Sequence, residues 1–265
     1  MTTKNNRSTH LVTLAEAKKR GLEFTEPSEA KCPYCNKPLE PIGVIGLTGS
    51  LTWVGSIECE CEGARKERER IEEEERRRHE REVEAALSRC GLKPRFKDAR
   101  VEVASIAAYL DAFELSTGVG LFICGPSRAG KTYAASAMTK AFYNAGYSVI
   151  LTTSLAMLDS IKESFDGNSR LGPTRFTGCD VLIIDDLGKE NANSWVMTTL
   201  FQIVNARYEA MRPTIITSQY SLDELKSRMS RSGERESAEA IIERLRETCR
   251  LITLPPRKNV GFANK

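Results

Sequence analysis

Residues 124–132 have the sequence CGPSRAGKT, and this stretch decides the fold class that we predict for the chain. It matches the pattern G-x-x-x-x-G-K-[ST], follows the apolar run at 121–124 and opens a helix-forming stretch at 131–145. In that setting, backbone N–H groups at a helix N-terminus surround phosphate, the lysine reaches the terminal phosphates, and the hydroxyl supplies an oxygen to Mg²⁺. We therefore predict a phosphate-binding loop, with Lys131 on the phosphates and Thr132 on magnesium.

Contacts to a nucleotide are expected along the whole loop. Arg128 stands where many such loops carry another glycine, and a positive φ at that position would strain an arginine. The minimal pattern is intact, so we still expect binding. The residues predicted to contact the nucleotide here are Gly125, Pro126, Ser127, Arg128, Ala129, Gly130, Lys131, Thr132 and Tyr133.

Three further polar residues follow two apolar runs. In VLIIDDLGKE (181–190) the run predicts a buried strand, and Asp185 emerges at its carboxyl end, where open α/β sheets place ligands. We expect Asp185 to hold Mg²⁺, usually through water, and Asp186 to orient or polarise an attacking water. In TIITSQYS (214–221) the amide of Gln219 can reach the γ-phosphate or that water. The alternatives are a helix cap for the aspartates and an ordinary polar strand end for Gln219.

Strand-like and helix-like runs alternate after residue 120. Because the strand-like runs are almost continuously apolar, they predict an α/β fold with a parallel sheet covered by helices on both faces. The strand-like runs are 121–124, 148–152, 180–185, 213–218 and 250–254, and the helical stretches are 131–145, 154–165, 194–211 and 236–247.

Four cysteines mark a small N-terminal module. They occur as CPYC (32–35) and CEC (59–61), and a C-P-x-C turn directs two thiolates at one metal while a second pair completes a tetrahedral set. About 30 residues cannot build an adequate core, so we expect bound zinc to fold a zinc-ribbon-like module. A redox pair or scattered packing thiols are the alternatives. The proposed ligands are Cys32, Cys35, Cys59 and Cys61.

The segments around this module complete the predicted organisation. TLAE (13–16) has the pattern of a capping box that opens a short helix, and Gly21 can end that helix. Residues 64–87 contain no Gly or Pro and place opposite charges three or four apart, which predicts a solvated helical connector. The predicted domains are a polar or helical segment at 1–30, the zinc module at 31–62, the connector at 63–90 and an ATPase domain at 91–265.

Composition bears on three properties of the protein: nucleic-acid binding, membrane insertion and secretion. The formal net charge is +3, too small to indicate nucleic-acid binding by itself. No apolar run approaches the roughly 18 residues of a membrane span, and MTTKNNRSTH at the N-terminus lacks the apolar core of a secretory signal. We therefore expect a cytoplasmic protein without a membrane partner, whose eight cysteines stay reduced.

The motifs together resemble AAA+ ATPases, and among them the bacterial DnaC/DnaI-type replicative helicase loaders. The resemblance extends over roughly residues 90–258 and is strongest in DVLIIDDLGKENANSWVMTTLFQIVNARYEAMRPTIITSQYSLDEL (180–225), which contains the N-x-R-Y signature at Asn205, Arg207 and Tyr208. IstB-type helper ATPases of transposition have nearly the same ATPase core. The position of the cysteine module resembles the zinc-containing, helicase-binding domain of DnaI-type loaders, which favours a loader.

This resemblance implies roles for individual residues. Lys131 and Thr132 belong to Walker A, Asp185 and Asp186 to Walker B, and Gln219 falls where the family usually has a sensor-1 asparagine. Arg244 matches the arginine finger that is supplied to a neighbouring subunit's ATP, so self-association is expected. The alternative for Arg244 is a surface salt bridge to Glu243 or Glu247. Arg257 falls about where a sensor-2 arginine would lie.

The expected function is ATP-dependent loading of a replicative helicase hexamer onto single-stranded DNA. Candidate DNA contacts are Lys162, Arg170 and Arg175, in the segment before the Walker B strand, with solvated surface charge as the alternative. Two other functions stay open. One is a transposition helper ATPase, and the other is an interaction protein whose zinc ribbon binds nucleic acid while the ATPase acts as a switch.

Overall fold

The computed structural model describes residues 11–46, 49–165 and 172–256. The chain divides into two units, residues 1–81 and 82–265, which are described separately. The boundary between the units falls inside the segment that the sequence predicts as a helical connector. Among the described residues, no helix combines the length and the apolar character needed to cross a membrane.

The N-terminal unit contains a small antiparallel sheet with strand order β1-β2-β3. The predicted capping box is present, because the Glu16 N–H donates to Thr13 Oγ1 at 3.3 Å and the Thr13 N–H donates to Glu16 Oε2 at 3.2 Å. The core of this unit is small and consists of Val12, Ala17 and Leu51, with a few half-buried neighbours. The elements are β1 (Leu11–Thr13), α1 (Leu14–Lys19), β2 (Pro41–Ile45) and β3 (Leu51–Ser56).

A long charged helix follows, α2 (Glu62–Arg89). Its 28 residues correspond to about 42 Å at 1.5 Å per residue. Ion pairs within the helix join side chains three or four residues apart, as in Arg70, which contacts both Glu67 and Glu74. Its side chains are mostly exposed, as the charge pattern predicts for a solvated helix.

The C-terminal unit is built on a five-stranded sheet with order β5-β6-β7-β4-β8, and every neighbouring pair is parallel. The predicted α/β class is confirmed, and the strand bounds agree within about two residues. The elements are α3 (Ala104–Asp111), β4 (Gly120–Cys124), α4 (Lys131–Asn144), β5 (Val149–Thr153), α5 (Ser154–Phe165), α6 (Thr174–Gly178), β6 (Val181–Leu187), α7 (Ser194–Glu209), β7 (Thr214–Ser218), α8 (Leu222–Met229), α9 (Arg235–Thr248) and β8 (Cys249–Thr253).

Both faces of this sheet are covered by apolar side chains. Successive residues of a strand point to opposite faces. In β6, Leu182 and Ile184 therefore join the core beneath α5, α7 and α9, while Val181 and Ile183 join the core beneath α3 and α4. This burial explains why the strands are apolar at nearly every position. Polar side chains are therefore expected at the carboxyl edge of the sheet, where β4, β7 and β6 lie side by side.

Candidate functional site

The loop between β4 and α4 has a backbone that requires glycine at two points. Gly125 has a φ of 155°, and a Cβ there would lie 2.5 Å from the carbonyl oxygen of Leu254. Gly130 has a left-handed φ of 94° and is the N-cap of α4. Backbone N–H groups at the start of α4 consequently face the loop, as an anion site requires.

Arg128 also adopts the left-handed conformation, with a φ of 64°. The strain expected from the sequence is therefore present, because a residue with a Cβ is destabilised by roughly 1–2 kcal/mol in the left-handed conformation. Pro126 and Ala129 contribute backbone to the loop, and Ala129 is buried.

Lys131 is folded back onto its own loop. Its ammonium donates to the carbonyl oxygens of Gly125 at 2.7 Å and Pro126 at 2.9 Å, and the residue is only 5% exposed. Burial lowers the pKa of Lys131, and the charges of Asp186 and Asp185 oppose that shift. A buried cation held by neutral carbonyls is well placed to exchange them for phosphate oxygens.

Asp185 joins three elements at the carboxyl edge of the sheet. Its Oδ2 accepts a hydrogen bond from Thr132 Oγ1 at 2.8 Å, and its Oδ1 accepts one from Thr217 Oγ1 at 2.5 Å. Asp185 is 5% exposed, and burial raises its pKa, whereas the two hydroxyl bonds act in the opposite direction. A carboxylate beside a threonine hydroxyl is an oxygen donor set that suits Mg²⁺. The residues predicted to hold magnesium therefore fit that ion.

Asp186 lies in an unusual backbone position. Its φ is 61°, its N–H donates to Thr217 Oγ1 at 3.0 Å, and its carboxylate pairs with the Lys189 ammonium at 2.9 Å. The carboxylate predicted to orient water is thus engaged by a cation within its own loop. The sequence interpretation did not include Lys189.

A single cleft collects most of the residues that the sequence nominates for phosphate chemistry. It also contains Arg95, Phe96 and Lys189, which the sequence interpretation missed. Two of these, Arg95 and Lys189, are basic, and positive charge is the property by which the sequence could have indicated them. The cleft is lined by Arg95, Phe96, Ser127, Arg128, Gly130, Lys131, Thr132, Tyr133, Asp186, Lys189 and Gln219.

The four nominated cysteines lie together in the N-terminal unit. Their sulfur atoms are all within 4.8 Å of one another, with Cys32 and Cys61 at 3.7 Å and Cys35 and Cys59 at 3.5 Å. Four thiolates around zinc at about 2.3 Å are separated by about 3.8 Å in a tetrahedron. The backbone N–H of Tyr34 is the main cause that lowers the pKa of Cys32 to about 6. The backbone N–H of Lys37 acts in the same direction on Cys35, but burial and the neighbouring thiols outweigh it and raise the pKa of Cys35 to about 12. The cluster therefore fits zinc in both spacing and chemistry.

Comparison with known families identifies the C-terminal part of the chain. The model of the family described as IstB-like ATP binding protein matches residues 68–256, well over half of the sequence. The chain belongs to the IstB-like ATP binding protein family. This confirms the resemblance to loader-type and IstB-type ATPases that the motifs indicate.

The relatives of this IstB-like protein include two replicative helicase loaders. DnaI of Bacillus subtilis (strain 168) is 28% identical over 148 residues, covering 54% of this chain and 47% of DnaI. DnaC of Escherichia coli (strain K12) is 23% identical over 160 residues, covering 54% of this chain and 64% of DnaC. The matched region is therefore between about half and two thirds of the length of these relatives.

A solved structure supports the fold. The crystal structure of the DnaC helicase loader superimposes with a TM-score of 0.53 at 22% identity, covering 61% of this chain and 99% of that one. The fold, a parallel sheet flanked by helices, is thus shared.

Arg244 of the IstB-like chain, on α9, does not line the cleft, and it packs against a platform of side chains on α7. Its Nε donates to Asn205 Oδ1 at 2.6 Å, and its guanidinium lies 4.9 Å from the centre of the Phe201 ring and 5.5 Å from that of Tyr208. Among the described residues, Arg244 forms neither of the alternative salt bridges, to Glu243 or to Glu247; its partners are Asn205 Oδ1 and the Ala240 carbonyl oxygen. Glu247 accepts a hydrogen bond from the Tyr208 hydroxyl at 2.7 Å. Two members of the N-x-R-Y signature therefore hold this arginine.

The remaining nominated residues are on the surface or outside the described residues. Lys162 on α5 and Arg175 on α6 are exposed. The Arg175 guanidinium lies 5.8 Å from the centre of the Phe176 ring. Arg170 and Arg257 fall outside the described residues.

Proposed function

We propose that this chain is an ATP-dependent loader of a replicative DNA helicase. The observation that carries the proposal is the contact between Thr132 and Asp185, which unites the two phosphate-site motifs at the carboxyl edge of the sheet. This site occurs in a chain whose curated relatives are named replicative helicase loaders. The same chain carries a cysteine cluster suited to zinc.

ATP would be held by the loop from Gly125 to Tyr133. The Lys131 ammonium would leave the carbonyls of Gly125 and Pro126 for the β- and γ-phosphate oxygens. Thr132 and Asp185 would hold Mg²⁺, whose charge neutralises the charge that develops on the transferring phosphoryl group. Asp185 is already positioned by two hydroxyl groups, so little rearrangement of its side chain is needed.

Hydrolysis would require Asp186 to leave its ion pair with Lys189. Once free, the Asp186 carboxylate would orient a water molecule toward the γ-phosphate, and the Gln219 amide would contact the same region of the cleft. Gln219 is longer than asparagine by one methylene group, so the hydrolysis rate depends on how it fits between the phosphate and the water.

Full activity would require neighbouring subunits. Arg244 would be delivered to a neighbour's ATP, where a guanidinium supplied in trans contributes about 10³- to 10⁵-fold in rate. The platform of Phe201, Asn205 and Tyr208 supports this role because it restricts the guanidinium before assembly. Arg257 is proposed as a further nucleotide contact from the resemblance alone.

The N-terminal segments would serve recognition of the helicase. We assign residues 31–62 to a zinc module that contacts the helicase hexamer, 1–30 to its leading segment, 63–90 to the connector and 91–265 to the ATPase domain. Single-stranded DNA would follow the exposed cations Lys162 and Arg175, together with Arg170, because single strands are held by basic grooves.

A turnover and capture experiment tests the proposal. We expect the wild-type chain to retain a replicative helicase hexamer in a pull-down and to hydrolyse ATP faster with single-stranded DNA. Lys131→Ala should abolish turnover. Lys140→Ala is the matched control, because Lys140 lies on the same helix and also donates to two backbone carbonyls, those of Lys97 and Ala99. Turnover that survives in Lys131→Ala would contradict the site assignment.

A transposition helper is the second candidate, and the match to the IstB-like family favours it. The two functions differ in partner. A helper of this kind would bind duplex DNA, respond to it in turnover and ignore the helicase hexamer. Failure to capture a helicase, combined with stimulation by duplex DNA, would replace the loader proposal with this one.

A further inference from the structure

Glu190 is a buried carboxylate that the proposed chemistry does not use. It is 7% exposed and accepts hydrogen bonds from uncharged donors. The Gly188 N–H lies 3.0 and 3.1 Å from its two oxygens, and the Ser154 hydroxyl donates to Oε2 at 2.6 Å. Burying a polar group is costly unless it is hydrogen-bonded, so these bonds stabilise the Glu190 side chain in its position.

The segment that Glu190 holds is the backbone of Asp186–Gly188. Asp186 and Gly188 both have left-handed φ values, 61° and 99°. A Cβ on Gly188 would lie 2.7 Å from Leu225 Cδ1, and side chains rarely adopt its φ, so packing and backbone conformation together favour glycine. The Ser154 hydroxyl is also 3.4 Å from the carbonyl oxygen of Asp186. Ser154 and Glu190 therefore contact this turn at two successive points.

The surroundings fix the other sides of the turn. Thr217 accepts the Asp186 N–H, and Arg228 Nε donates to the Gly188 carbonyl oxygen at 2.6 Å. A left-handed aspartate is strained by about 1–3 kcal/mol and persists only where its surroundings over-determine it. The buried Glu190 carboxylate contributes one such contact directly, because both of its oxygens accept the Gly188 N–H, and a second through Ser154.

We infer that Glu190 and Ser154 are positioning residues for Asp186. They hold the turn in the conformation that directs the Asp186 carboxylate into the phosphate cleft. The inference rests on the proposed function in one respect, the role of Asp186 in hydrolysis. It assigns no contact with nucleotide to Glu190 itself.

The opposite end of the same strands offers a matched control. Asp180, just before β6, accepts hydrogen bonds from the N–H of Ser148 at 2.9 Å and from its hydroxyl at 2.7 Å. This pair, like Ser154 and Glu190, joins the β5 and β6 regions through a carboxylate, a serine hydroxyl and a backbone N–H. It lies at the end of the strands away from the cleft, so its loss should affect stability alone.

The test compares full-chain Glu190→Ala, Glu190→Gln and Asp180→Ala. A displacement of about 1 Å in a catalytic group can lower a rate by about 100-fold. We expect Glu190→Ala to lower kcat by about 10- to 100-fold with KM for ATP within about threefold. Glu190→Gln should recover most of kcat, because its amide oxygen still accepts the Gly188 N–H. Asp180→Ala should keep kcat within about twofold of the wild type, even if its Tm falls as far as that of Glu190→Ala.

The kinetics of Ser154→Ala and hydrogen exchange at residues 186–190 test the inference in two further ways. If Glu190→Ala does not fold, Ser154→Ala removes only the hydroxyl and should lower kcat by a smaller factor without changing KM. Hydrogen exchange of residues 186–190 should be faster in Glu190→Ala and unchanged in Asp180→Ala. A kcat for Glu190→Ala equal to that of Asp180→Ala would overturn the inference. If the wild-type chain has no turnover, the proposed function fails, and unchanged exchange in Glu190→Ala would overturn the inference separately.

Discussion

Removal of zinc from the proposed cysteine site should unfold the N-terminal unit and leave the C-terminal unit folded. The physical reason is the size of the two cores. In the N-terminal unit the buried apolar cluster is Val12, Ala17 and Leu51, whereas the C-terminal unit has two extensive clusters on its sheet. Fully buried Val and Leu side chains contribute about 1.5–3 kcal/mol each. A structural zinc contributes about 10–16 kcal/mol, so it outweighs this burial severalfold.

Tryptophan fluorescence can follow this unfolding. Trp53 lies in β3, donates its indole N–H to the Thr25 carbonyl oxygen at 2.7 Å and contacts the Phe24 ring edge to face. The chain has two tryptophans, and the other, Trp195, is in the C-terminal unit, so Trp195→Phe makes Trp53 the sole reporter. We expect one zinc per chain and a red shift of Trp53 emission on chelation. Nucleotide binding by the C-terminal unit should stay within about twofold.

A cysteine substitution supplies the control for chelation. Cys61→Ser should release zinc and reproduce the red shift without chelator. Cys90→Ser, which changes a half-buried cysteine outside the cluster, should leave both zinc content and fluorescence unchanged. If the chain binds no zinc, or if Trp53 emission is the same with and without zinc, the reasoning from core size is refuted.

Three further substitutions have expected outcomes. Arg128→Gly should raise the free energy of unfolding by about 1 kcal/mol, because glycine adopts the left-handed conformation without the strain of an arginine there. A denaturant titration that gives a lower free energy of unfolding for the variant would contradict this. Asp185→Asn should abolish Mg²⁺-dependent ATP binding yet raise the Tm of the nucleotide-free protein at neutral pH. Burial raises the pKa of Asp185, so the charged carboxylate destabilises the folded wild type at neutral pH. Protonation in acid removes this penalty, and the Tm difference between wild type and variant should then vanish. Asn205→Ala should lower turnover of the assembled protein about tenfold by releasing Arg244, and unchanged turnover at saturating protein concentration would contradict the platform.

Much of the fold is predictable from local sequence. Each strand is a short apolar run, and the alternation of those runs with helical stretches leaves a parallel sheet as the arrangement that buries both faces. The contact between Thr132 and Asp185 also follows, since carboxyl ends of parallel strands share one edge of the sheet. The largest difference in a strand bound is in β6, which extends to Leu187 because the pairing with β7 is irregular between Ile184 and Leu187.

Because of that irregularity, the side-chain contacts of the site could not be predicted from the sequence. One extra residue of β6 lies between the paired positions, and Asp186 there is in the left-handed region. In this conformation its carboxylate pairs with Lys189, and the Gly188 N–H donates to Glu190. A motif specifies residue types at a spacing but not the backbone conformation between them. Side-chain partners within such a turn depend on contacts from distant strands and helices, here through Ser154 and Thr217.

The end of helix α7 shows how one short motif can serve two sites. Arg207 is fully buried, and its guanidinium donates to the carbonyl oxygens of Cys179 and Asp180, before β6, and to Pro213, before β7. It therefore fixes the relative positions of the two strands whose far ends carry the Asp185 contacts. Its neighbours in the motif, Asn205 and Tyr208, contact Arg244. Because a rigid helix joins these positions, a shift of α7 would move Arg244 and the strand ends together. The N-x-R-Y signature thus connects the site within a subunit to the residue proposed to act on its neighbour.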